Sequence, residues 1–393
     1  MERPRIPASV IFQAKEWQIK KTKEGIREWL ATTSFIEFAE EIEKKIIAQP
    51  ELRRACFIVY KYLEAIAYDK SISSNFILAG PSGCGKTEFY RQIKKYFSQA
   101  GHPRIAVSCT DMTSITSAGF KGSEPSDILK GYVSDPASIT GFGICFLDEA
   151  DKRLIPVYSA SAGKTSNVSK EVQNGLLKIV EGADITLLSR ETVNTSKLCF
   201  ILMGSFNDFK KIEADDNTHI MGFNRDDERL ENEMREREAL FRPITKEEIV
   251  KGGGTVELLG RFGQVINFRP MREEFFDALI EKVRQDVADS FSFLDIELMP
   301  EMIDCLKTQA DTEFGVRYLD ELIRGAVITA SIDFYSSKDW EDMKFDEMLV
   351  VTLHSQKDYS YHLRKMTEDE KEYYAKYWPE DRDEGEEMEL ETN

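Results

Sequence analysis

The octapeptide Gly80-Pro81-Ser82-Gly83-Cys84-Gly85-Lys86-Thr87 constrains this chain more than any other feature. It fits the pattern GxxxxGK[ST] and lies between a short apolar run, residues 75–79, read as a buried strand, and residues 88–97, read as a helix. Glycines let such a loop curl until its N–H groups converge on phosphate oxygens, and the following helix N-terminus adds positive dipole character. In this context Lys86 reaches the terminal phosphates of ATP and the Thr87 hydroxyl ligates Mg2+. A Gly-rich turn that matches by chance is the competing reading.

A second feature weighs against that alternative. Ile144-Cys145-Phe146-Leu147-Asp148-Glu149 reads as a buried strand that delivers two carboxylates at its C-terminal end, where open α/β sheets bind their ligands. Asp148 is expected to hold magnesium through water, and Glu149 to orient and polarise the water that attacks a phosphoanhydride. A solvated acidic strand end is the bland reading, disfavoured by the P-loop upstream. Further strand-like runs at 105–109 and 198–203 alternate with helical segments, including 55–68. The expected fold is therefore α/β, a P-loop NTPase module with a parallel sheet covered on both faces.

From Pro270 onward the pattern turns mostly helical, with a strand expected near 348–353. Four segments result. Residues 1–45 are an N-terminal helical extension, 46–269 a large α/β domain, 270–366 a smaller C-terminal domain, and 367–393 an acidic tail. The tail carries twelve acidic and three basic residues, half of the net charge of −18, and lacks apolar periodicity, which predicts disorder. An acidic chain argues against a dedicated nucleic-acid binder. The longest apolar runs fall far short of the ~20 residues of a membrane span, and the first thirty residues hold no signal-type stretch. The six cysteines form no CxxC pair, so a zinc site is not expected, and a reducing cytoplasm is.

Several further segments carry a family likeness. Ile46-Ile47-Ala48-Gln49 precedes the P-loop. Gln173-Asn174-Gly175-Leu176-Leu177-Lys178-Ile179-Val180-Glu181-Gly182 follows the acidic strand. Then come Gly204-Ser205-Phe206, Gly260-Arg261 and Gly315-Val316-Arg317. By charge alone Arg261 and Arg317 are surface arginines. In this order, across residues 46–325, the segments resemble the ATPase module of the ClpX family, hexameric AAA+ unfoldases that feed proteins to the ClpP peptidase. The resemblance implies that Ile46 and Ile47 pack near adenine and that Ser205 stands in the sensor-1 region. Arg261 becomes an arginine finger that reaches a neighbouring subunit's γ-phosphate, and Arg317 the sensor-2 arginine. It also implies a homo-hexamer, protein substrates and a ClpP-type peptidase partner.

Two more expectations rest on the same resemblance. Gly119-Phe120-Lys121-Gly122 corresponds to the pore loop, where an aromatic ring between glycines grips a polypeptide by apolar contact. Gly131-Tyr132-Val133-Ser134 is a rival match by letters that stands too close to the acidic strand. Met221-Gly222-Phe223 occupies the place of the family's peptidase-docking tripeptide, an apolar tip in a polar stretch. The departures are equally plain. A four-cysteine zinc domain and the Arg-Lys-His loop are missing, and the acidic tail has no counterpart. The leading reading is an unfoldase that delivers substrates to a peptidase. A stand-alone remodeller that dissociates complexes without proteolysis shares every nucleotide motif. A nucleotide-gated scaffold without productive hydrolysis is the third reading, and Glu149 with Arg261 weighs against it.

Overall fold

A computed structural model of the 393-residue chain describes residues 8–47, 49–71, 74–116, 123–161, 164–210, 242–270, 273–310, 316–344 and 346–375. They divide into two compact units, one up to Phe275 and one from Phe276 onward.

The first unit is built on five parallel strands. They are β1 (Phe76–Ala79), β2 (Ala106–Asp111), β3 (Gly143–Asp148), β4 (Leu198–Gly204) and β5 (Val265–Asn267), in the order β2-β3-β4-β1-β5. Every residue of β1 and β4 is buried, because a parallel sheet covered on both faces has no solvent side. Successive side chains therefore feed two separate cores. Phe76, Leu78, Ile144, Phe146 and Ile201 join one, and Ile77, Cys145, Leu147, Phe200 and Leu202 join the other.

The first core is closed by α1 (Ala8–Thr32), α2 (Phe35–Glu43), α3 (Leu52–Ala67) and α4 (Lys86–Ser98). Ile26 and Trp29 of α1 and Phe38 of α2 are buried in it, and the Trp29 indole N–H donates to the Tyr96 hydroxyl at 3.0 Å. The helices of residues 8–43 thus pack into the core of the first unit. Ser34 and Glu37 start α2 with a reciprocal capping box. The second core is covered by α5 (Val168–Val180), which buries Val172, Leu176 and Ile179.

The second unit combines helices α6 (Phe276–Ala288), α7 (Pro300–Ala310) and α8 (Val316–Tyr335) with a three-stranded sheet. Its strands are β6 (Leu294–Leu298), β7 (Glu347–Leu353) and β8 (Tyr359–Lys365), with β7 parallel to β6 and antiparallel to β8. The expected strand near 348–353 is therefore the centre of a sheet. All six cysteines are free, and among the described residues no helix is long and apolar enough to cross a membrane.

Candidate nucleotide site

β1 ends at Ala79 and α4 begins at Lys86, so the glycine-rich loop spans the C-terminal edge of the sheet. Gly85 adopts φ 96°, in the left-handed region that favours glycine, and a Cβ there would press on the Ile46 side chain at 3.1 Å. A Cβ on Gly80 would come within 2.6 Å of the Phe268 carbonyl oxygen. The loop is thus held between the segments around Ile46 and Phe268. Lys86 folds back on the loop, with its Nζ donating to the carbonyls of Gly80 at 2.6 Å and Pro81 at 2.8 Å.

The same two segments wall a cleft of about 510 Å3, with Ile46, Ile47, Gln49, Arg269, Pro270 and Phe275 among its lining residues. Gln49 joins them through its side-chain amide, which donates to the Arg269 carbonyl and accepts the Arg269 N–H, both at 2.8 Å. The lining is mostly apolar, with the carboxylates of Glu43 and Glu274 among it, and Ile46 also meets Gly85 of the glycine-rich loop. Such a cleft suits a flat heterocycle.

The carboxylates stand at the end of β3. The Thr87 hydroxyl donates to Asp148 Oδ2 at 3.4 Å, and the Glu149 N–H donates to Asp148 Oδ1 at 3.0 Å. One hydroxyl and one carboxylate, both hard oxygen donors, fit a magnesium ion. Glu149 has φ 55°, uncommon for a residue with a Cβ and typical of functional sites. Desolvation, with the charges of Asp151 and Asp148 beside it, holds its carboxyl above the ordinary range. A carboxyl shifted in that direction is a stronger base than a free one.

Ser205 follows the end of β4, and its hydroxyl donates to buried Asp151 at 2.9 Å. The sequence reading missed Asp151, although it stands in Asp148-Glu149-Ala150-Asp151, directly after the carboxylate pair.

Arg261 lies elsewhere. Asn75, just before β1, donates to the Arg261 carbonyl at 3.3 Å, whereas the P-loop leaves the far end of that strand. Four strand residues separate the two, roughly 13 Å at ~3.3 Å per residue. The exposed guanidinium bonds to Glu181, and Gly182 beside it packs on Ser196, which precedes β4. The side chain is therefore also at the N-terminal edge of the sheet. Gln173 ties the segment before Arg261 to α5, accepting from Thr255 N–H at 2.7 Å and donating to Gly253 O at 3.2 Å.

Arg317 is an exposed residue in the first turn of α8, in the second unit. Gly119, Phe120, Lys121 and Gly122, like Met221, Gly222 and Phe223, lie outside the described residues. Beside the first of these segments, Thr116 N–H donates to Ser123 O at 2.7 Å, and Ser123 N–H to Ser114 O at 3.3 Å. The rival aromatic, Tyr132, is buried and donates to Ser138 O, so it is a core residue.

Residues 71–265 match the AAA domain (Cdc48 subfamily). Over 332 residues, 77% of this chain and 78% of the relative, it is 25% identical to the ATP-dependent Clp protease ATP-binding subunit ClpX of Porphyromonas gingivalis. The subunit of the same name from Treponema denticola is 25% identical over 344 residues, 80% of each chain. ClpX 2 of Wolinella succinogenes is 22% identical over 341 residues, 80% of this chain and 81% of the relative.

Proposed function

We propose that this chain, a ClpX-like AAA+ ATPase, is a protein unfoldase that assembles as a homo-hexameric ring, threads protein substrates through its pore and passes them to a ClpP-type peptidase. The observation that supports ring action most is the position of Arg261 at the opposite edge of the sheet from its own P-loop. A finger so placed serves a neighbour's γ-phosphate and not its own. In this reading 46–269 is the large ATPase domain with 1–45 laid on it as an extension, 270–366 is the small domain and 367–393 an acidic tail. The free cysteines fit a cytoplasmic setting.

ATP binds with its base in the cleft beside Ile46 and Ile47 and its phosphates in the loop from Gly80 to Thr87. Lys86 exchanges its two carbonyl partners for phosphate oxygens. Thr87 and Asp148 hold Mg2+, which neutralises charge on the phosphates. Glu149 orients the attacking water and takes up its proton. Ser205 lines the site just beyond β4, and Arg317 matches the sensor-2 arginine of the family by its place in the sequence. Phe120, between Gly119 and Lys121-Gly122, grips the substrate, and Met221-Gly222-Phe223 docks on the peptidase.

A reconstituted degradation assay with a stable tagged substrate and a ClpP-type peptidase tests the reading. Phe120→Ala is expected to hydrolyse ATP without unfolding, because only the grip is lost. Met221→Ser with Phe223→Ser is expected to unfold without degradation. If the wild type unfolds yet stimulates no peptidase of its own cell, the stand-alone remodeller replaces this reading. If it neither unfolds nor degrades, motor function falls altogether.

A further inference from the structure

Asp151 is a fully buried carboxylate three residues beyond Asp148. Its Oδ2 accepts from the Ser205 hydroxyl at 2.9 Å and from the Phe206 N–H at 3.0 Å, with the Lys152 ammonium 3.8 Å away. Oδ1 has no hydrogen-bond partner among the described residues. It faces Gly204, where a Cβ would come within 2.5 Å of it. A buried carboxylate with one oxygen unpartnered is a costly arrangement, and a well-packed apolar residue would fill the space more favourably.

The surroundings show what the carboxylate holds. Glu149 and Phe206 both have φ 55°, and they stand just beyond the ends of the neighbouring strands β3 and β4. Non-glycine residues keep such a conformation only where the structure around them over-determines it. Asp151 bonds directly to Phe206 and lies two residues from Glu149. Ala150 N–H, between them, donates to Met203 O at 2.8 Å and closes the same junction. Two bonds onto one ionised oxygen are charge-assisted, stronger than neutral ones. Because a carboxylate only accepts, the Ser205 proton is committed to it, and the hydroxyl meets the site as an acceptor.

We propose that Asp151 is a positioning residue for ATP hydrolysis: its buried carboxylate locks Ser205 and the left-handed turn at Phe206 to the segment that carries Glu149, so that both strand ends face the terminal phosphate as one rigid edge. The inference rests on the reading of Glu149 as the residue that activates water. It explains why a hydrogen-bonding group sits where an apolar residue would pack, and why Gly204 precedes Ser205.

The test is steady-state ATPase kinetics on the assembled full-length chain. Asp151→Asn keeps the shape and removes the charge. It is expected to lower kcat by about tenfold or more while KM for ATP stays within about twofold, since the interaction serves the transition state and not ground-state binding. Ser205→Ala should lower kcat in the same manner. In the Asp151→Asn background it should cost less than about twofold more, because both changes break one link. A kcat for Asp151→Asn within about twofold of wild type overturns the proposal, as do additive losses in the double variant. If Asp151→Asn does not assemble, Ser205→Ala alone decides, with unchanged kcat counting against it. Glu149→Gln serves as the control. Activity near wild type in that variant sinks the reading of the site itself. A silent Glu149→Gln beside an active Asp151→Asn sinks only the role of Asp151.

Discussion

Glu149 leaves β3 in a left-handed conformation, with its N–H given to the Asp148 carboxylate and its own carboxyl held above the ordinary range by desolvation and neighbouring charge. Glu149→Gln preserves shape and removes the ability to take a proton. ATP binding should persist, and turnover should fall by about 10²- to 10⁴-fold, measured by phosphate release beside a fluorescent-nucleotide titration. Gly80 answers to a different constraint. An added methyl would meet the Phe268 carbonyl at 2.6 Å, a backbone atom without freedom to move aside. Gly80→Ala should cost about 1–3 kcal/mol of stability in urea unfolding and weaken nucleotide binding with it. The P-loop and the Asp148-Glu149 pair were legible in the sequence because their chemistry is local, each a run of consecutive residues. The bonds from Asp151 to Ser205 and from Arg261 to Glu181 were not, since each joins segments that only the folded sheet brings together.

At the scale of elements, β1 to β4 could be read because strands buried on both faces are continuous apolar runs. β5 could not, since three residues give no periodicity and only Ile266 is fully buried. β6 and β8 hid for the opposite reason. In Leu294–Leu298 and Tyr359–Lys365 charged and polar residues interrupt the pattern, and one covered face is enough for each. Charge also pins this sheet to the short helix Glu368–Ala375. Arg364 on β8 bonds to Asp295 on β6 at 3.0 Å and to Glu370 at 2.6 Å. The hydrogen bonds from Arg364 hold the Glu370 carboxyl at about 2, well below its ordinary 4.5. Because the folded value is depressed, the stabilisation is complete above the ordinary value and is lost as pH falls from about 4.5 toward 2. The pair is partly exposed, so it should contribute only about 1–2 kcal/mol at neutral pH. Hydrogen exchange along residues 359–365 in wild type and Glu370→Gln should differ at pH 6, and the difference should shrink as pH falls below about 4.5 and close near pH 2. A constant difference would deny the pair its role.

For the molecule as a whole, the decisive distance is the length of β1, which separates Arg261 from the P-loop of its own chain. Arg261→Ala should bind ATP normally and hydrolyse it poorly. Mixed with Glu149→Gln subunits, it should regain part of the activity, because some interfaces then combine an intact Glu149 from one parent with an intact Arg261 from the other. Equal inactivity of the mixture and both parents would make Arg261 a purely local residue. The same separation changes what a rate measurement counts. With Arg261 serving a neighbour, as proposed, a single chain would own no complete catalytic centre, and centres would be as numerous as closed interfaces and not as subunits. An open arc always has one fewer than its members. Specific activity should then fall on dilution faster than subunits disappear, and phosphate release becomes a census of ring closure.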